Sequence, residues 1–241
     1  MKCFRWSCAL MLVLSLSGIA LAKEKGGDGQ KVDSGSFGVF MNGRRVGTET
    51  FSITQNANGS VIQSEFKADG SAGLAVQNSE LQLTGAGEIR RYEWKELSPG
   101  KAQSVVIPND QLLTQKWSAG PQEKQQEQPY LLPASTFILD DYFFVHREVL
   151  AWRYLALACP KGKPEPCQRM QFGTLNPRQH TSASVSMMYL GPETAAKADT
   201  KQKLHKMELK SDAGNWLIWL DDQFKVMRIS IPSEKTEVVR D

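Results

Sequence analysis

Residues 36–54 read SFGVFMNGRRVGTETFSIT, and this stretch decides the class of fold. Phe37, Val39 and Met41 share one parity, and Asn42-Gly43 then supplies the two positive-φ positions of a tight hairpin. On the return strand, Val46 to Thr54, Phe51 and Ile53 face one way while Thr50, Ser52 and Thr54 face the other. That period of two marks a half-buried strand. Asn58-Gly59 makes the next turn, and Ile62, Phe66 and Ala68 carry the apolar parity onward. Three strands joined by short turns form an antiparallel meander.

Further strands follow at similar spacing, over 74–83, 88–94, 103–107 and 111–117, with Gly- and Pro-containing turns between them. Residues 118–129, rich in Gln, Glu, Lys and Pro, read as a solvated loop and the best boundary between two halves. In the second half, strands are expected over 181–190, 203–210, 215–220, 224–231 and 235–239, with 191–200 a mobile loop. Residues 215–220 break the alternation. Trp216, Ile218 and Leu220 point one way and Leu217 and Trp219 the other, so both faces of this strand need cover, from the helix and from protein or ligand.

The one helix is expected over 142–157, with Asp140 or Asp141 as its cap. On a wheel, Tyr142, Val145, Val149 and Trp152 lie on one side of a broad apolar arc, and Phe143, Leu150 and Tyr154 on the other. Arg147 and Glu148 form a narrow polar face, so the helix must be largely covered. His146 and Arg153 fall near the middle of the arc. A buried Arg is costly unless paired. It implies either an internal ion pair or a polar spot in an apolar cavity that meets a ligand head group. Together with Trp152, Trp216 and Trp219, His146 and Arg153 are the candidate ligand-binding residues. The expected fold is mainly β: a single domain over 36–241, with a large antiparallel curved sheet, half-barrel or open barrel, around one buried α-helix.

The N-terminus reads as a secretory signal. Lys2 and Arg5 precede an apolar run from Ala9 to Ala20, and Ala20-Leu21-Ala22 offers a small-x-small cleavage site. Cleavage after Ala22 leaves 219 residues with 27 basic and 26 acidic side chains, and an exported chain, periplasmic or secreted. Residues 23–35, Gly- and Lys-rich, are expected to be a disordered tail. Cys3 and Cys8 leave with the signal. Cys159 and Cys167 remain, in a loop stiffened by Pro160, Pro164 and Pro166, and read as a disulfide stabilising by roughly 2–3 kcal/mol.

The scattered basic residues form no patch for nucleic acid. His146, His180 and His205 sit in no metal-ligand spacing, and there is no nucleophile elbow, phosphate loop or dinucleotide fingerprint. Asp140-Asp141 and Asp221-Asp222 suit a cap and a turn better than a catalytic pair. Nothing in the sequence points to a catalytic residue, a metal or a cofactor.

The segments Phe37 to Glu49 and Trp219 to Val226 resemble the opening and late hairpins of uncharacterised exported bacterial proteins. In strand plan, from Ser36 to Asp241, the chain is similar to the lipoprotein-localisation-factor and periplasmic sensor half-barrels. That resemblance implies a curved sheet that embraces a helical plug and accepts acyl chains. The first functional reading is therefore a non-catalytic periplasmic module binding a hydrophobic or lipid-like ligand. A structural or protein-interaction component of the cell envelope, with a filled core, is the alternative, and a hydrolase with a dispersed site is the third. The expected partner is a lipid, a hydrophobic small molecule or an envelope protein.

Overall fold

A computed structural model describes residues 29–70, 75–159, 167–197, 200–212 and 214–241. The signal segment and residues 23–28 lie outside this set. The first half carries β1 (Gln30–Met41), β2 (Arg44–Asn56), β3 (Gly59–Ala68), β4 (Val76–Thr84), β5 (Ile89–Ser98), β6 (Gln103–Asn109), β7 (Leu112–Ser118) and β8 (Gln126–Tyr130). After the two-residue β9 (Phe137–Ile138) comes the helix α1 (Val145–Ala158). The second half carries β10 (Met170–Asn176), β11 (Thr181–Lys197), β12 (Thr200–Ser211), β13 (Gly214–Leu220), β14 (Val226–Ile231) and β15 (Thr236–Arg240).

All fifteen strands belong to one sheet, ordered β8-β7-β6-β5-β4-β3-β2-β1-β15-β14-β13-β12-β11-β10-β9. The chain starts at the centre, meanders to one edge, crosses through α1, and meanders back until β15 pairs with β1. The mainly β fold with an open curved sheet and one helix is thus as expected.

The curvature follows from the contacts of α1. Its His146 ring meets Tyr92 of β5 edge-on at 5.5 Å. Its Tyr154 hydroxyl accepts a 2.9 Å bond from the Tyr189 N–H of β11. Those strands stand nine places apart in the sheet, roughly 43 Å if it were flat, whereas a helix is about 10–12 Å across. The sheet must curl round the helix. At one end its two flanks touch without pairing: Gln115 of β7 donates a 2.7 Å bond to the Pro177 carbonyl, and Trp117 and His180 stack at 4.1 Å. The edges β8 and β9 do not pair, so the barrel stays open.

The Asn42-Gly43 hairpin forms as read, with φ of 49° and 76°. Gly59 (φ 141°) begins β3, and a Cβ there would lie 1.9 Å from the Leu83 carbonyl oxygen. Only glycine lets β3 and β4 approach this closely.

Four expectations need correction. Residues 30–35 are not a disordered tail but the start of β1, because Asp33 is buried and ion-paired to Lys225 and Arg240. Within 118–129, β8 begins at Gln126. Residues 191–197 extend β11 against β12 instead of looping out, since the register continues past Gly191 to Lys197. The helix begins at Val145 rather than 142, and neither Asp140 nor Asp141 caps it. Glu49 of β2 does so from outside the segment, accepting from the main-chain N–H groups of Phe144 (2.6 Å) and Val145 (3.3 Å). A carboxylate group on another strand thus serves the orphan donors that a local Asp or Ser would normally take. The Cys159–Cys167 disulfide is present. Among the described residues no helix is long and apolar enough to cross a membrane.

Candidate functional site

The helix presents two charged neighbours, Arg147 and Glu148, 2 % and 0 % exposed. Both were expected on its polar face. Almost every side of α1 is covered, so the wheel had no solvent side on which to place them.

Glu148 faces the seam between the two chain ends. Its Oε2 accepts from the Val226 N–H at 2.7 Å and from Arg240 Nη1 at 3.4 Å. Arg240 also holds Asp33 at 2.6 Å, and Lys225 holds it at 3.0 Å. Burial, then the neighbouring Asp33, pushes the Glu148 carboxyl up to about 9. For Asp33, burial works upward, but bonds from Glu148, Arg240 and Lys225 outweigh it and hold its pKa below the ordinary value. Glu148 Oε1 meets no donor, and with its pKa raised the carboxyl is protonated at neutral pH. This cluster is closed on itself.

Arg147 is placed differently. Its Nη1 donates to the main-chain carbonyls of Asp140 and of Phe143, the latter at 3.0 Å. Its guanidinium lies 4.5 Å from the Trp216 ring centroid and 5.5 Å from that of Phe144. Its Nε has no acceptor, and no carboxylate forms an ion pair with it among the described residues. Burial works against the charge, opposed by Asp141, Asp140 and Glu49.

Arg147 and Trp216 line a hollow of about 310 Å³ whose other walls mix the polar Thr174, Asn176, Thr181, Ser182 and Ser211 with the aliphatic Leu139, Ala183, Val185 and Leu209. Beyond the indole lies a second hollow of about 510 Å³, walled by Val39, Met41, Val46, Phe66, Ala68, Phe144 and Ile231. The two share Asp141, Gln179, Trp216 and Glu234 and so meet at the indole. Met41 and Tyr142, 45 % and 40 % exposed, stand at the apolar chamber. A hollow with one buried cation among hydroxyl, amide and aliphatic side chains, joined to a larger hollow walled mostly by apolar residues, is a cleft for a two-part molecule, and both volumes lie within the roughly 300–1,000 Å³ of ligand pockets. A 360 Å³ hollow over β2–β5 is less suited, because its walls already bond one another, Gln63 to Glu80 and Lys95 to Glu93.

Of the candidate residues, the structure brings Trp216 alone to the cleft. His146 is buried in the core between Tyr92 and Phe143, and burial drives its pKa down to about 3. It stays neutral there. Trp152 is half-buried and donates a 2.6 Å bond to the Phe224 carbonyl. Arg153 is not the buried arginine. It is half-exposed, with its guanidinium beside Gly87 in the β4–β5 turn. Trp219 points to the outer face of β13, the side opposite Trp216, where it lies between Lys206 (5.1 Å) and Arg228 (4.8 Å) and donates to Glu193 at 3.3 Å. The outer apolar face of this strand is therefore covered by neighbouring charged side chains, not by a ligand.

Sequence reasoning missed Arg147, Glu148 and Glu49. The usable signal for the first two was the helix itself: a segment apolar on nearly all sides must bury whatever charge it carries. Glu49 had no signal, since nothing in a strand marks one carboxyl as the cap of a helix 95 residues away.

At the edge of the cleft a clasp joins the flanks of the sheet. Asp140 accepts from Tyr92 of β5 at 2.7 Å and from Arg178 Nε at 2.9 Å, and Arg178 stacks 3.6 Å from the Trp94 centroid. Burial and the adjacent Asp140 hold the Tyr92 hydroxyl well above its ordinary pKa, so it remains a donor.

No protein-family model matches this sequence, and no curated protein matches it. Among solved structures, a DUF1089 family protein from Pseudomonas aeruginosa is similar at 12 % identity and a TM-score of 0.41, over 77 % of this chain and 90 % of that one. The resemblance to lipoprotein-localisation-factor half-barrels finds no support in these comparisons.

Proposed function

We propose that the protein is an exported, non-catalytic binding module for a lipid-like amphiphile, held in the cleft on either side of Trp216. The observation that carries this reading is a pair of adjoining hollows that share Trp216, the larger walled mostly by apolar side chains and the smaller holding a buried guanidinium. An apolar chain placed in the larger chamber removes the exposed Met41 and the half-buried Val46 and Ala68 from water, at roughly 25 cal/mol per Å² of apolar surface. The head then sits among hydroxyl and amide groups on β10 and β11. The core around the helix is filled, as the buried Leu150, Ala151 and Tyr154 indicate, so the guest lies beside the helix and not in place of it.

The test is native mass spectrometry of the purified protein, combined with displacement of a fluorescent fatty-acid probe. A bound lipid, or probe binding that Val46→Trp weakens at least tenfold without lowering the melting temperature, is expected. Absence of both a co-purifying lipid and any probe binding would overturn the proposal and leave an envelope interaction protein as the better reading.

A further inference from the structure

We infer that Arg147 receives a carboxylate head group, so that the guest is a long-chain monocarboxylate. This rests on the amphiphile reading above and adds the chemistry of the head.

A guanidinium that is 2 % exposed normally has a carboxylate or phosphate within reach, because a lone buried charge is expensive. Arg147 instead has two carbonyls, a π face and an Nε without an acceptor. Of the three acids that line its chamber, Asp212 and Glu234 are exposed at its walls and Asp141 is committed elsewhere. Asp141 Oδ1 accepts from Asn176 Nδ2 at 2.8 Å, and its Oδ2 accepts from Gln179 Nε2 at 3.1 Å. The indole lies 4.5 Å from the guanidinium and the side chain lines the hollow, so we take the guanidinium edge as the side that an incoming acceptor meets. A planar carboxylate meets that edge in its own plane, the geometry in which an arginine fork binds best.

Other heads fit less well. A quaternary ammonium has no acceptor atom to offer the guanidinium. An alcohol offers one acceptor and no charge. A dianionic phosphate meets Asp212 and Glu234, exposed on the chamber walls, and is repelled about twice as strongly as a monoanion.

A matched series of tetradecyl amphiphiles tests this by displacement of the fluorescent probe: tetradecanoate, 1-tetradecanol, tetradecyl phosphate and tetradecyltrimethylammonium. The wild-type protein is expected to bind tetradecanoate on the order of tenfold more tightly than the alcohol, the range of a charge-assisted hydrogen bond. Arg147→Met is expected to bind acid and alcohol alike, with the alcohol affinity of the wild type. Arg147→Lys, which keeps the charge and loses the fork, should retain a smaller preference. If wild-type protein binds acid and alcohol equally, or binds the phosphate more tightly than the acid, the carboxylate assignment falls while the amphiphile reading stands. If it binds none of the four, both fall. Should Arg147→Met fail to melt cooperatively, the wild-type series decides alone.

Discussion

Arg147 and Glu148 are neighbours in sequence, equally buried, and opposite in fate. On the Glu148 side the fold completes a cluster of its own: Asp33 from the first strand shares the site, and Arg240 from the last strand and Lys225 from the turn between β13 and β14 supply the countercharges. On the Arg147 side it supplies two carbonyls and an indole, and then a hollow. The closed side ties the two chain ends into one sheet. The open side leaves the Arg147 Nε without an acceptor, in a side chain that lines a hollow. The contrast teaches that buried charge by itself does not mark a site; buried charge whose bonds are left unfinished next to a cavity does.

The contrast can be broken from the closed side first, where the effect is largest. Glu148→Ala removes the acceptor of both the Val226 N–H and Arg240, and is expected to cost about 3 kcal/mol in a urea or thermal melt, since each buried donor left without an acceptor costs about 1–3 kcal/mol. A loss below about 1 kcal/mol would show that the cluster is not what holds the seam. The pH dependence of stability sharpens the picture at the helix N-terminus. Burial, opposed by Ser64 and the two main-chain donors, pushes the Glu49 carboxyl up to about 7, against 4.5 unfolded. Between those values the folded chain holds a proton that the unfolded chain has lost, so this contribution falls as pH rises from 4.5 to 7 and is flat above. His146 acts in the opposite sense, since its folded pKa of about 3 makes stability rise with pH up to 6.5. Comparing wild type with Glu49→Gln cancels the histidine. The stability gap between them should narrow by on the order of 2–3 kcal/mol from pH 5 to pH 8, and a gap that does not change with pH would contradict a raised Glu49.

Asp33→Asn is a gentler probe of the same seam. It replaces the carboxylate that Arg240 and Lys225 share by a neutral amide with one acceptor oxygen and should cost about 2 kcal/mol. An unchanged melt would return residues 30–35 to the status of a tail. The smallest effect is expected on the open side. Arg147→Met gives up bonds to two carbonyls but also a buried charge without an acid, so its stability should stay within about 1 kcal/mol of wild type. A loss as large as that of Glu148→Ala would mean the two sides are not different in kind.

Much of the strand plan was legible because alternation reports burial directly: Phe51 and Ile53 against Ser52 and Thr54 could be assigned to faces before any coordinates existed. The stretches read as tail or loop, 30–35, 126–129 and 191–197, failed for a shared reason. Their strands are polar, and a polar strand is held by its pairing partners and ion pairs, which leave no periodic trace. The helix was legible as an element but not in phase. Arg153 was placed on its apolar arc and Arg147 on its polar face, because a nearly all-apolar wheel has no strong direction. Trp216 and Trp219 were assigned to opposite faces of one strand, yet both were placed at a ligand; alternation separated them, and only the covering by Lys206 and Arg228 showed which face was closed.

By itself, the sequence determined a mainly β chain with its leading hairpin, a single covered helix and a cysteine pair, since each depends on residues close together along the chain. Tertiary structure alone decided that Glu49 caps α1, that Asp33 and Arg240 meet across 207 residues, and that Arg147 faces a hollow beside Trp216. Those outcomes depend on which charges the curling sheet brings together and which it leaves apart, and Coulomb energy follows distance in space, not separation in sequence.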